Sequence, residues 1–211
     1  MKLLYISIIF LIASCGNTIS NSNNKVTNVD ASKAVELTDK TVQFLWRDSN
    51  ASILIDENFC KTISDPEKAA LGYVATFIGN ECWWDGAFTE KRDNLKCEIV
   101  TALNLGYQCS DKHLGFLRQW FKNDTTTLKQ LESCPLIPNT STIQSTFDEI
   151  ILTTKGNKIE ISSKVTAINM RDEESRYWTE TNYFQFTNDN IKLIQQEKSP
   201  VNVEHFNTSD K

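Results

Sequence analysis

The chain has 211 residues, a net charge of −5 and five tryptophans, and 40% of its residues are hydrophobic. This apolar content supports a folded core and excludes wholesale disorder, and the length fits one domain or two small ones. No basic stripe runs along the chain, so we expect no nucleic-acid partner, because phosphate binding begins with a positive surface.

The first fifteen residues have the pattern of an export signal. Residues 1–2 form a short positive start, residues 3–11 are apolar but too few to span a bilayer, and residues 12–15 read Ile-Ala-Ser-Cys. This segment resembles the lipobox of bacterial lipoproteins. The resemblance implies a signal peptide over residues 1–14, lipid on Cys15, and an exported protein anchored to a membrane of the bacterial cell envelope. The alternative is an ordinary secretory signal in which the cysteine carries no lipid.

The rest of the chain divides by composition and by hydrophobic period. Residues 15–29 are rich in Asn, Ser and Thr, which predicts a flexible linker. A helical period over residues 30–134 is followed by a period of two over residues 138–197. We therefore predict one α+β domain over residues 30–197, with the helices packed on one side of a four-stranded antiparallel sheet. Residues 198–211 are polar and are expected to form a frayed tail.

The first two predicted helices differ in the strength of their signals. The first spans residues 34–45, and the side chains of one face recur at helical spacing. These side chains are Ala34, Leu37, Thr41, Phe44 and Leu45. The second begins with a Ser-x-x-Glu capping box at residues 64–67, with Pro66 at the first helical position. The Gly79-Asn80 pair can end it.

Three further helices complete the helical half. The third starts near residue 89, and Gly106 is the residue expected just after its end. Ser110 and Asp111 cap the fourth helix, and a short fifth helix covers residues 127–133.

The second half reads as four strands joined by short turns. The strands are residues 147–154, 158–169, 176–186 and 191–196. Short turns predict an antiparallel meander. Ile159, Ile161, Val165 and Ala167 share one face of the second strand. Trp178, Phe184 and Phe186 share one face of the third strand, with Tyr177 and Tyr183 on the other. The pattern resembles the closing meander of cystatin-like and nuclear-transport-factor-like cone folds, a resemblance that implies no function by itself.

Five cysteines follow the lipid-bearing position. An exported protein meets an oxidising environment, so disulfides are the expected fate of these thiols. Packing of the predicted helices favours the pairs Cys82–Cys97 and Cys109–Cys134, which leave Cys60 free. The main rival pairing is Cys60–Cys109.

The segment around the paired tryptophans is the predicted binding site. Trp83, Trp84 and Asp85 lie between two helices, and adjacent tryptophans point different ways, so one of them can be exposed. Glu81 and Asp85 could instead act as an acid pair that splits a sugar stacked on the rings. A third interpretation is that both rings fill a corner of the core.

Two further clusters allow other chemistry. Cys82, Cys97, Cys109 and His113 could bind zinc, and Cys109 with His113 could form a nucleophilic pair. The spacings match no compact zinc motif, and no catalytic signature surrounds either residue, so we expect no metal and no catalytic residues. Without a glycine-rich loop, no phosphate-bearing cofactor is expected either.

The expected function is binding without catalysis in the cell envelope, with a protein partner there in addition to the membrane. An immunity-type lipoprotein and an accessory subunit of an envelope complex both fit. One alternative is a hydrolase of envelope glycans or peptides that uses Glu81, Asp85 or His113. Another is a small-molecule binder with a pocket in a cone-shaped sheet. A deep pocket with two converging titratable groups favours the hydrolase, and an open surface with aromatic side chains favours the binding protein.

Overall fold

Helices and one antiparallel sheet make up the described part of the protein. The structure, a computed structural model, describes residues 37–50, 52–78, 95–134, 143–169 and 171–206. The strands are β1 (Lys40–Arg47), β2 (Ile53–Ile55), β3 (Ile143–Lys155), β4 (Lys158–Asn169), β5 (Glu174–Thr187), β6 (Asn190–Lys198) and β7 (Asn202–His205). The helices are α1 (Glu57–Thr62), α2 (Asp65–Phe77), α3 (Leu95–Ala102), α4 (Asp111–Trp120) and α5 (Thr125–Glu132). They lie in a compact unit that spans Ala34–Lys211, and the predicted α+β class is confirmed.

The predicted meander is present, but within the described residues the sheet has seven strands rather than four. β3, β4, β5 and β6 are consecutive antiparallel neighbours. β1 pairs with the other edge of β3, β2 pairs with β1, and β7 pairs with β5. The prediction of four strands was wrong because β1 and β2 are distant in sequence from the meander. β7 is short and polar, and it lies within residues 198–211, where the sequence predicts a frayed tail.

The prediction of a first helix over residues 34–45 was wrong for the described residues, because Lys40–Arg47 forms strand β1. Its pairing with β3 shifts register between Gln43 and Leu45, so Phe44 is an extra residue in a β-bulge. Phe44 and Leu45 are both fully buried. Two adjacent buried residues break the alternation expected of a strand, so the local pattern resembles that of a helix. The segment is nevertheless a strand, because it pairs with β3 about a hundred residues away.

Helix α2 is largely buried, and its predicted start is confirmed. The Glu67 carboxylate accepts the Ser64 backbone N–H at 3.1 Å, which completes the capping box. One side of α2 packs on β4, β5 and β6, and other sides pack on α3 and α4. A Cβ on Gly72 would lie 3.1 Å from Leu105 and 3.2 Å from Leu117, so glycine permits this close approach.

The third helix ends earlier than the sequence suggests. The Asn104 N–H donates to the Thr101 carbonyl and the Leu105 N–H to the Val100 carbonyl, which is a Schellman motif. Asn104 has a φ of 56° and occupies the left-handed position. The prediction of Gly106 for that position was therefore wrong. Asparagine tolerates the left-handed conformation better than most residues, which allows the earlier stop.

The remaining helices and the strand faces follow the sequence closely. Ser110 caps α4 by accepting the His113 N–H, and Asp124 caps α5 by accepting the Thr127 N–H. β4 alternates between buried and more exposed residues along its whole length, as predicted. We call the side of the sheet against α2 the inner face and the opposite side the outer face.

Candidate binding site

Most of the site predicted from sequence lies outside the described residues. This holds for Cys15 and for residues 81–85, which include Cys82, Trp83, Trp84 and Asp85. Cys97 lies in α3, but its side chain is likewise outside the description. The lipid anchor, the tryptophan site and the Cys82–Cys97 bridge therefore stay predictions.

The second predicted disulfide is confirmed. Cys109 and Cys134 are bonded, with their Cα atoms 5.9 Å apart, and Cys60 is a free thiol. The rival Cys60–Cys109 pairing was therefore wrong. Because the Cys109 sulfur is in the disulfide, it is neither a zinc-binding thiolate nor a nucleophile. Among the described residues, no three His, Cys, Asp or Glu side chains are placed to share a metal ion.

His113 has a structural role. It is fully buried, its Nδ1 accepts the Cys109 backbone N–H at 3.1 Å, and its Nε2 lies 3.0 Å from the Thr76 hydroxyl. The Thr76 hydroxyl itself donates to the Gly72 carbonyl at 2.6 Å. The ring is therefore a neutral imidazole that donates from Nε2, and it ties α4 to α2. A catalytic base would instead need access to a substrate.

The free thiol is also a poor nucleophile. A depression of about 510 Å³ beside α1 and α3 contains Cys60. Burial raises the pKa of this thiol, and the charges of Asp56 and Glu57 raise it further. The sulfur therefore stays protonated near neutral pH, whereas a reactive cysteine needs its thiolate.

The buried polar groups of the inner face are unreachable from solvent. Ser163 Oγ and Asn182 Nδ2 have no hydrogen-bond partner in the described part of the chain, and both residues are at most 1% exposed. Burial raises the pKa of the neighbouring Tyr73 to about 12, the Asp124 charge adds to this shift, and a hydrogen bond with Gln196 opposes it. A ligand could touch these groups only if the core opened.

A groove on the outer face is accessible and combines polar with aromatic groups. It has a volume of about 440 Å³, within the range of small-ligand sites. Thr153 of β3, Glu160 of β4, Tyr183 of β5 and Gln195 of β6 lie opposite one another in consecutive strand pairs. One row of side chains across four strands therefore crosses the groove.

Tyr183 is held in place within this row. Its hydroxyl donates to Glu197 at 3.2 Å, and Gln195 Nε2 donates to the other oxygen of the same carboxylate at 2.7 Å. Partial loss of hydration raises the pKa of Tyr183, and so do its hydrogen bond to Glu197 and the charges of Glu197 and Glu160. Tyr183 is therefore a neutral phenol whose ring is fixed on the sheet surface.

Two lysines and an apolar side chain complete the lining. Lys155 and Lys158 lie at the β3–β4 turn. The lining therefore contains two cations together with the two carboxylates of Glu160 and Glu197. Ile194 is 46% exposed, because it is the extra residue in a bulge of β6 opposite β5. The groove thus offers hydrogen-bond donors and acceptors around an apolar surface.

The alternation of residues along β5 places Tyr183 on the face opposite Phe184, but it does not identify the groove. Alternation along β5 could point to an exposed tyrosine. The residues that oppose it on β4 and β6 depend on register, which no local pattern specifies.

The chain matches no protein-family model, no curated protein and no solved structure. None of the helices in the described ranges is both long enough and apolar enough to cross a bilayer.

Proposed function

We propose that the chain is a lipid-anchored binding protein of the bacterial cell envelope, without catalytic activity, and that it binds its ligand in the outer-face groove. The single observation that carries the proposal is the position of this groove. It is accessible on the face opposite α2, and hydrogen bonds within its lining hold Tyr183 and Gln195 to Glu197. Ordered side chains reduce the entropy lost on binding, which favours a recognition surface.

The export pattern supports the location. The run that ends at Cys15 implies two acyl chains, and residues 15–29 would let the folded body stand away from the membrane. A tethered body with an exposed groove suits capture of a ligand at the membrane surface.

The hydrolase alternative has weaker support. Glu160 and Glu197 approach the same groove, but Glu197 is exposed on β6. A carboxyl that serves as general acid near neutral pH needs an apolar, dehydrated setting, which this exposed position does not provide. Of the hydrolase candidates from sequence, Glu81 and Asp85 lie outside the described residues, and His113 is buried and bonded at both ring nitrogens.

Capture from envelope extract tests the proposal. The full chain, immobilised, is compared with its Tyr183→Ala variant, and retained proteins and glycans are both analysed. We expect a component retained by the wild type to be largely lost with Tyr183→Ala, because the substitution removes the aromatic ring from the lining of the groove.

Tyr177→Ala is the matched control. Tyr177 lies on the same strand and face, about 20 Å from Tyr183, and its hydroxyl donates to Glu204 at 3.2 Å. It lies outside the groove lining. If all three chains retain the same components in equal amounts, the groove is not the binding site and the proposal fails.

A further inference from the structure

We propose that the outer-face groove binds a neutral saccharide. This inference rests on the proposed binding function and names the ligand class of the same site. The charges that line the groove cancel. Lys155 and Lys158 carry two positive charges, and Glu160 and Glu197 carry two negative ones.

The balance of charge selects against simple ions. A small cation would be drawn to the carboxylates but repelled by the lysines, and an anion would meet the reverse. An uncharged ligand meets no such repulsion, and every one of these groups can still hydrogen-bond to it. Carboxylates accept, ammonium groups donate, and the Thr153 hydroxyl does both. A ligand with several hydroxyl groups on neighbouring carbons can satisfy donors and acceptors together.

The aromatic ring supplies the complementary apolar contact. Pyranose rings present C–H groups on one face, and these carry slight positive charge that suits the negative face of a phenol ring. Glu197 holds the Tyr183 hydroxyl, so the ring has a fixed position beside the exposed Ile194. The groove therefore pairs an aromatic platform with polar groups at its rim, as a sugar with one apolar face and a polar edge requires.

Direct titration tests the ligand class. The purified full chain, in detergent, is titrated with the N-acetylglucosamine trisaccharide and with maltotriose, using ligand-observed NMR and calorimetry. The two sugars distinguish N-acetylated amino sugars from plain hexoses as the source of the chemistry. Triglycine serves as a small peptide probe.

Variants identify the groove as the site. We expect Tyr183→Ala to weaken saccharide binding about tenfold or more, because it removes the platform. Tyr183→Phe keeps the ring but loses its bond to Glu197, so it should bind more weakly than the wild type by at most about threefold, and it also controls for folding. Tyr177→Ala should leave the affinity within about twofold.

The outcomes separate this inference from the proposed function. Binding of either trisaccharide with this order of variants supports the saccharide. Binding of neither sugar, or of triglycine in their place with the same dependence on Tyr183, overturns it. If envelope capture still depends on Tyr183 but the captured component is a protein without glycan, the binding function stands and the saccharide inference falls.

Discussion

Glu67 is a buried charge that joins α2 to β1 and β3. It is fully buried, it accepts the Thr154 hydroxyl at 2.7 Å, and it pairs with Lys40 at 3.0 Å. Burial alone raises the pKa of this carboxyl, but the hydrogen bonds from Thr154, Ser64 and Lys40 outweigh burial, so the pKa is lowered. The folded state therefore stabilises the ionised form.

Replacement of this carboxylate should change how stability depends on pH. Because the pKa of Glu67 is lower in the folded state, its contribution to the free energy of unfolding is fully present above the unfolded pKa of about 4.3. This contribution is lost as the pH falls through the folded pKa. We expect Glu67→Gln to cost about 2 kcal/mol at pH 7 and less in acid. Denaturant midpoints measured from pH 7 to pH 3 check this.

Glu149→Gln is the matched control for a carboxylate that is not fully buried. The pKa of Glu149 is also lowered, chiefly by its bond to Lys164, but this carboxylate is 19% exposed. We expect a cost below about 1 kcal/mol at pH 7. Equal losses for the two variants at pH 7 would contradict a special role for Glu67.

At the scale of elements, a disulfide joins the start of α4 to the end of α5, and hydrogen bonds attach the start of α5 to the sheet. Asp124 caps α5 and also accepts the Leu193 N–H of β6 at 3.1 Å, so the start of α5 is attached to the sheet. Cys134, just after α5, is bonded to Cys109, just before α4. Short helices with few turns gain most of their stability from such tertiary contacts.

Removal of the disulfide should therefore be costly. The bridge joins residues 25 apart, so Cys109→Ala with Cys134→Ala is expected to cost about 3 kcal/mol, mainly by freeing the unfolded chain. Thermal and denaturant unfolding under one buffer condition measure the difference. Cys60→Ala breaks no bridge and should cost less than about 1 kcal/mol.

Alkylation in denaturant without reductant gives a second measurement. Cys60 should be modified, whereas Cys109 and Cys134 should react only after reduction. Equal stability of the double variant and Cys60→Ala would show that the bridge does not stabilise the helices. Peptide mapping of the alkylated protein also tests the predicted Cys82–Cys97 pair.

At the scale of the whole molecule, the edges of the sheet limit further strand pairing. β2, at one edge, has only three residues. At the other edge, Pro200 lies between β6 and β7, and Thr179 and Ser199 exchange hydrogen bonds across the gap. Short and interrupted edges discourage pairing between copies of the chain.

The proposed lipid anchor gives a prediction for the whole chain. Cys15→Ser should abolish lipid attachment and move the protein from the membrane fraction to the soluble fraction. The reason is that the serine hydroxyl cannot form the thioether that carries the lipid. Fractionation and intact mass measure this change. Cys60→Ala, which leaves Cys15 in place, should stay with the membrane. Membrane association and mass unchanged by the serine would rule out the lipoprotein interpretation.

Local patterns in the sequence determined much of the fold. The capping box at residues 64–67, the Ser110 cap and the alternation of β4 each depend on neighbours within a few residues, so their signals are complete in the sequence. The expected antiparallel packing of the helices also favoured the Cys109–Cys134 pair over its rival.

Tertiary structure decided the rest, because long-range pairing outweighed local periodicity. β1 carries a helix-like spacing, yet its bulge and its pairing with β3 make it a strand. The polar β7 is a strand only because β5 extends beyond β6. The groove exists because register places Glu160 and Gln195 on either side of Tyr183. Register between strands is set by the whole core, so no segment of the sequence specifies the groove by itself.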